Sequence, residues 1–114
     1  MRLAVVGSRS FDNKARLAEV LAEYSPSEII SGGAQGADTL AAEWAREHAI
    51  PVREFLPDYA RYGRAAPLKR NVLIVDNADL LIAFWDGSSR GTKHTIDRAQ
   101  EKGVKVRIER FSTP

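Results

Sequence analysis

Short apolar runs, each followed by a stretch with helical periodicity, constrain this chain more than any other feature. Leu3-Ala4-Val5-Val6 and Leu80-Leu81-Ile82-Ala83-Phe84-Trp85 are continuous apolar runs too short for helices. Such runs read as strands covered on both faces. Glu28-Ile29-Ile30-Ser31, Val52 to Leu56 and Val104 to Ile108 read as three more, the last less buried on one face. Between them lie helical stretches. After Asp12, the residues Leu17, Val20, Leu21 and Tyr24 share one face, and Ala37, Leu40, Ala41, Trp44 and Ala45 recur at helical spacing. Further helices are expected from about Pro67 to Asn77, with Pro67 in the first turn, and from Thr92 to Lys102, closed by Gly103. Pro57 to Ala66 is the longest irregular piece and is expected to be an ordered loop over a site. Strand–helix alternation of this kind predicts an α/β fold: a Rossmann-like three-layer sandwich with a five-stranded parallel sheet in the order 3-2-1-4-5. The 114-residue length predicts one domain over residues 1–111, with 112–114 as a tail.

Composition removes several function classes. Without cysteine there is no disulfide, thiolate metal site or thiol nucleophile. Seventeen basic residues against fifteen acidic ones leave a formal charge of +2, which argues against a nucleic-acid-coating surface. No run approaches the ~20 apolar residues of a spanning helix, and the amino end is too short for a signal peptide. A cytoplasmic protein with no membrane partner is the expectation. His48 and His94 are too isolated to make a metal site, and no cofactor is expected. Helix faces leave a homo-oligomer open.

Three strand-to-helix loops carry the chemistry: Gly7-Ser8-Arg9-Ser10, Gly32-Gly33-Ala34-Gln35-Gly36-Ala37-Asp38, and Asp86-Gly87-Ser88-Ser89-Arg90-Gly91-Thr92-Lys93. The proposed strand order puts them together at the edge where the winding reverses, the usual ligand crevice of open α/β sheets. Glycines allow close backbone approach, and helix starts attract anions. Together the loops predict a phosphate site. For either glycine loop alone, the plainer reading is a short turn, with Asp38 and Thr92 in capping or first-turn roles. Neither G-x-G-x-x-G nor a Walker loop is present, since Gly87 and Gly91 are too close together and Thr92 precedes Lys93.

Arg70 reads either as a bidentate partner for phosphate or ribose oxygens, or as half of a surface salt bridge with Asp76 or Asp79. Asn71 could read a base edge or bond the neighbouring loop, and Asp38 and Asp86 could accept from ribose hydroxyls or hold their own turns. Trp44 reads as core. Trp85 stands at the crevice edge but is weighed as core, and Tyr59 and Tyr62 as loop anchors.

Gly7-Ser8-Arg9, Ser31 to Asp38, Lys69-Arg70-Asn71, Ala78-Asp79 and Phe84 to Thr92 together resemble the SLOG superfamily, and within it the small single-domain branch related to YspA and YpsA. The resemblance implies a Rossmann-like domain that binds nucleotides or nucleotide-derived ligands, ADP-ribose-like molecules or nucleoside monophosphates among them. The ligand-binding residues singled out are Gly7, Ser8, Arg9, Gly32, Gly33, Ala34, Gly36, Ala37, Asp38, Arg70, Asn71, Asp86, Gly87, Ser88, Gly91 and Thr92. The superfamily also holds the LOG phosphoribohydrolases and the single-strand-binding DprA. LOG enzymes carry an Arg-Lys pair and a later essential Glu. Here Asn71 follows Arg70, and the Glu position falls on Thr95. A binding module is therefore the leading reading. A nucleoside 5′-monophosphate hydrolase and a single-stranded nucleic-acid binder are its alternatives.

Overall fold

The computed structural model describes residues 1–112; Thr113 and Pro114, from the expected tail, lie outside the described residues. Five parallel strands form one sheet: β1 (Arg2–Gly7), β2 (Glu28–Ser31), β3 (Val52–Glu54), β4 (Leu80–Trp85) and β5 (Lys105–Arg110). Their order is β3-β2-β1-β4-β5, as the alternating pattern predicts. The helices are α1 (Lys14–Leu21), α2 (Ala37–Glu47), α3 (Tyr59–Tyr62), α4 (Ala66–Asp76) and α5 (Arg90–Lys102).

Alternation along the central strands explains why they read as continuous apolar runs. Leu3 and Val5 of β1, Ile29 of β2, and Ile82 and Phe84 of β4 point to one face and pack with α1 and α2. Ala4 and Val6, Ile30, and Leu81 and Ala83 point to the other and pack with α4 and α5. With both faces covered, β4 carries no charged residue and β1 carries one only at its first position, Arg2. The edge strand β5 has no fully buried position and keeps its charges. Phe11 sets its ring at a tilt, 4.6 Å from that of Phe84, closing one end of the first core.

Element ends differ from expectation in physically clear ways. β3 stops at Glu54 rather than Leu56; one more ladder bond, from Phe55 N to Ser31 O, precedes the chain's departure, and Leu56 is exposed. The stretch Pro57 to Ala66, expected to be irregular, is helical from Tyr59 onward. The Asp58 carboxylate accepts from Arg61 N at 3.1 Å, starting α3, and a 3-10 turn (Gly63–Ala65) carries the chain into α4. α5 begins at Arg90, two residues before the expected Thr92, because Ser89 takes the position that precedes the helix. β5 runs two residues past Ile108. Gly103 closes α5 with φ 82°, the left-handed cap expected there.

Two glycines let the turns converge. A Cβ at Gly7 would lie 2.6 Å from both Ala37 Cβ and Phe84 O, so the end of β1 sits tightly between β4 and the start of α2. Gly36 has φ 84°, and a side chain there would strike the backbone of Ser8 and Arg9.

Candidate functional site

At the carboxyl ends of β1 and β4 the turns enclose a hollow of about 450 Å³. Val6, Gly7, Ser8, Arg9 and Ser10 line it from β1 and its turn, Ala34 from the β2–α2 turn and Asp38 from the first turn of α2. Pro67, Leu68, Arg70 and Asn71 of α4 form a second wall, while Asp86, Ser89, Gly91, Thr92 and Thr95 close it from β4 and α5. Of the residues singled out from sequence, Gly7, Ser8, Arg9, Ala34, Asp38, Arg70, Asn71, Asp86, Gly91 and Thr92 are thus brought together.

Gly32, Gly33, Gly36, Ala37, Gly87 and Ser88 are not among the lining residues, and each has another physical role. Gly32 N donates to Asp38 Oδ2 at 2.9 Å, and Gly33 N donates to Ser31 Oγ at 3.1 Å. The expectation that the amides of both glycine turns converge on one anion therefore meets a different arrangement: these two serve the protein itself. Gly36 is the close-approach point, and Ala37 is buried. Gly87 gives room to the Arg110 guanidinium, which lies over the Trp85 ring. Ser88 N donates to Asp86 Oδ1 at 2.9 Å.

Asp38 organises the β2–α2 turn. Only 5% exposed, its carboxyl is pushed up to about 6 by burial, against the pull of the Gly32 and Ala34 amides and the Arg70 charge. Arg70 Nη1 donates to Gly32 O at 2.6 Å, and its Nε donates to Asn71 Oδ1 at 3.1 Å. Neither salt bridge weighed for Arg70 forms, since Asp76 pairs with Lys102 and Asp79 with Arg2. Asn71 is buried, and its Nδ2 reaches Gly91 O and His94 Nδ1, tying α4 to the first turn of α5.

The β4–α5 turn is held differently. Asp86 Oδ1 accepts from both Ser88 N and Ser89 N, which keeps the carboxyl below the usual carboxylate range. Asp86 N in turn donates to Ser8 Oγ at 3.1 Å. Ser89 precedes α5 but makes no side-chain cap; its hydroxyl meets Thr92 Oγ1 instead. Asn13 caps α1 and Asp58 caps α3 with side-chain oxygens, whereas α2 and α4, like α5, start without a side-chain cap. Among the described residues, no protein oxygen accepts from the amides of Arg90, Gly91 or Thr92. The start of a 13-residue helix thus opens on the hollow with its first N–H groups unmatched.

Several lining residues are not singled out from sequence: Val6, Pro67 and Leu68 carry no motif, and Ser10 and Ser89 lie in the marked loops without a role assigned to them. Thr95 is placed only by resemblance, although its i, i+3 spacing from Thr92 signals a shared helix face. Its hydroxyl donates to Gly91 O at 3.0 Å. Trp44 is buried in the first core, stacked on His48. Trp85 donates its Nε1–H to Ser89 O at 3.1 Å, bracing the turn from behind. Tyr59 is 60% exposed, and Tyr62 carries the cations of Arg61 and Lys69 over its ring. Among the described residues, no cluster of three His, Asp or Glu is placed to hold a metal, and no helix is long and apolar enough to cross a membrane.

The family described as YAcAr, the YspA, cpYpsA-related SLOG family, matches residues 1–62. The Gene 61 protein of Mycobacterium phage D29 is 34% identical over 116 residues, covering 92% of this chain and 93% of its own. The chain belongs to the YAcAr family. The matched segment of this SLOG domain carries the β1 and β2 turns, and the phage relative extends the similarity across most of the chain. Among solved structures, DNA processing protein A (DprA) of Streptococcus pneumoniae superposes with a TM-score of 0.75 at 22% identity, over 94% of this chain and 49% of its own. DprA of Helicobacter pylori, solved to describe its single-stranded DNA binding mode, gives 0.74 at 21% identity, over 95% of this chain and 64% of its own. The YAcAr chain thus spans about half to two-thirds of these DprA chains and shares their Rossmann-like fold.

Proposed function

We propose that the hollow binds a phosphate-bearing nucleotide or nucleotide-derived ligand, and that the chain acts as a binding module. The observation that carries this reading is the uncapped start of α5 facing a hollow of about 450 Å³, a size within the rough 300–1,000 Å³ range of small-ligand sites. The phosphate rests on the Gly91 and Thr92 amides, where the helix dipole favours an anion. Arg9 flanks it, and the free edge of Arg70 faces the same space. Pro67 and Leu68 offer the apolar contact a base requires, and Asp38 offers an acceptor for a ribose hydroxyl. Thr95 supplies no carboxylate where the LOG enzymes carry one, so the reading is for binding rather than glycosidic hydrolysis.

The test is a thermal-shift and calorimetric panel of nucleoside monophosphates against wild type and Gly91→Asp. A Cβ at Gly91 meets nothing within 4 Å, and an acid in the first turn of a helix is favourable by about 0.3–1 kcal/mol. The variant is expected to fold at least as well and to lose ligand affinity tenfold or more. Equal stabilisation of both proteins by every nucleotide contradicts the placement. Release of free base from AMP or CMP at substoichiometric protein would support the hydrolase alternative.

A second reading, single-stranded nucleic-acid binding, is supported by exposed Tyr59 and by Tyr62 with Arg61 and Lys69 beside it, an arrangement on which bases stack. The fold shared with DprA adds to it. Fluorescence anisotropy with labelled oligothymidylate separates the readings, because strand binding weakens steeply with salt and with Tyr59→Ala.

A further inference from the structure

One edge of the sheet is left open. Edge strands are commonly kept short, bulged or broken by proline, because their unpaired backbone groups are a template for another strand. β3 follows that habit with three residues. β5 does not: it has six, as many as the central strands β1 and β4, and contains neither proline nor glycine. Phe111 N donates to Trp85 O at 3.2 Å, and in a parallel ladder alternate residues bond to the same neighbour. Arg107 and Glu109 therefore bond toward β4, whereas the N–H and C=O groups of Val106, Ile108 and Arg110 point away from the sheet. Among the described residues, no protein group meets those three N–H groups. Ile108, 39% exposed, sits in the middle of them.

The charges on β5 decide which strand fits this edge. A second copy of β5, laid antiparallel about a two-fold axis, has to centre on a residue; a centre between residues would bring an outward-bonding residue against an inward-bonding one. Like charges directly opposite each other across a strand pair are destabilising and unlike ones favourable. Centred on Val106, Lys105 opposes Arg107; centred on Arg107, that cation opposes its own counterpart; centred on Glu109, two carboxylates meet. Centred on Ile108, no like charges are opposed: Ile108 meets Ile108, and Arg107 meets Glu109 twice. The two kinds of contact fall on opposite faces. Val106 packs on the α5 side of the sheet, which places Ile108 there too, whereas Arg107 bonds the Tyr24 hydroxyl and Glu109 pairs with Arg16 on the α1 side. We infer that β5 pairs with β5 of a second copy in this register, joining two five-stranded sheets into one continuous sheet. The contact uses the same patch on both copies, so it closes at a dimer. The axis stands perpendicular to the sheet, and the two hollows open at its opposite ends. This inference is independent of the nucleotide reading.

Sedimentation velocity over a concentration series tests it. Wild type is expected to rise from 12.6 kDa to twice that mass. Ile108→Lys sets two ammonium groups face to face at the axis and is expected to lose the dimer at concentrations where wild type has formed it. Ile108→Pro removes an N–H that the ladder with β4 does not use, so it blocks the edge and keeps the sheet. Circular dichroism checks both folds. Because the chain has no cysteine, single-cysteine crosslinking reads the register. Ile108→Cys is expected to give a disulfide-linked dimer under mild oxidation, since facing Cα atoms in such a pair lie about 5.5 Å apart, within disulfide reach. Lys105→Cys, also exposed, is expected to stay uncrosslinked, its two copies lying about 20 Å apart along the strands. A wild type that stays monomeric at millimolar concentration, a dimer that both Ile108→Lys and Ile108→Pro leave intact, or Lys105→Cys crosslinking as fast as Ile108→Cys overturns the inference.

Discussion

The two glycine-bearing turns at the edge of the sheet are alike in composition and differ in what their glycine amides do. In the β2–α2 turn, Gly32 and Gly33 donate inward to Asp38 and Ser31, and Arg70 clasps the Gly32 carbonyl. In the β4–α5 turn, Asp86 likewise gathers the Ser88 and Ser89 amides, but the Gly91 amide at the start of α5 is left without a protein acceptor; α2, behind Gly36, also starts without a side-chain cap. The first turn is a structural clasp; the second is an open mouth. Glycine content alone therefore does not identify a phosphate loop. What decides is whether a buried carboxylate or hydroxyl of the chain already occupies the amides.

Substitutions that should cost the first turn much and the second little sharpen this contrast. Gly36→Ala is expected to have the largest effect, because the residue holds φ 84° and its Cβ would strike the Ser8 and Arg9 backbone. A destabilisation of about 3 kcal/mol is anticipated in urea unfolding. A loss below about 0.5 kcal/mol would break the idea of a tight backbone approach there.

Asp38→Asn comes next and carries a pH signature. The folded carboxyl titrates near 6, above its ordinary 3.8, so the folded protein keeps a proton that the unfolded chain releases between about pH 4 and 6. Wild-type stability falls as pH rises through that window. The amide variant escapes the fall, and its stability relative to wild type should grow by roughly 2–3 kcal/mol between pH 4 and pH 7. A flat difference across that range would mean that Asp38 is not the buried keystone of its turn.

The smallest effect is expected at the open turn. Gly91→Ala meets no neighbouring atom and replaces a helical glycine, so a gain of about 0.5–1 kcal/mol is expected from thermal unfolding. Destabilisation there would show that the start of α5 is packed more tightly than its geometry implies.

Much of this frame was legible in the sequence, because the signals are local. The apolar runs of β1 and β4 name the central strands, and the short loops between alternating elements leave few topologies, which is why the strand order could be read. Element ends were harder to read. The start of α3 depends on one cap, Asp58 to Arg61 N, inside a segment whose glycine and prolines suggest a loop. Within the site, sequence marks Arg9, Asp38, Arg70, Asn71, Gly91 and Thr92 through their loops, and they do line one hollow. It does not mark Pro67 or Leu68, ordinary residues placed there only by how α4 packs. Nor does it reveal that Asp38 turns back on Gly32, since a first-turn aspartate pointing to solvent and one buried against its own turn look the same in a string of letters.

The most direct measurement is an amide-resolved NMR titration of the ¹⁵N-labelled protein with nucleoside monophosphates and ADP-ribose. The Arg90, Gly91 and Thr92 amides should exchange quickly in the free protein and shift on ligand addition, while those of Gly32 and Gly33 stay protected and move little. Protected Gly91 and Thr92 amides beside labile, ligand-responsive Gly32 and Gly33 amides would contradict the assignment of clasp and mouth.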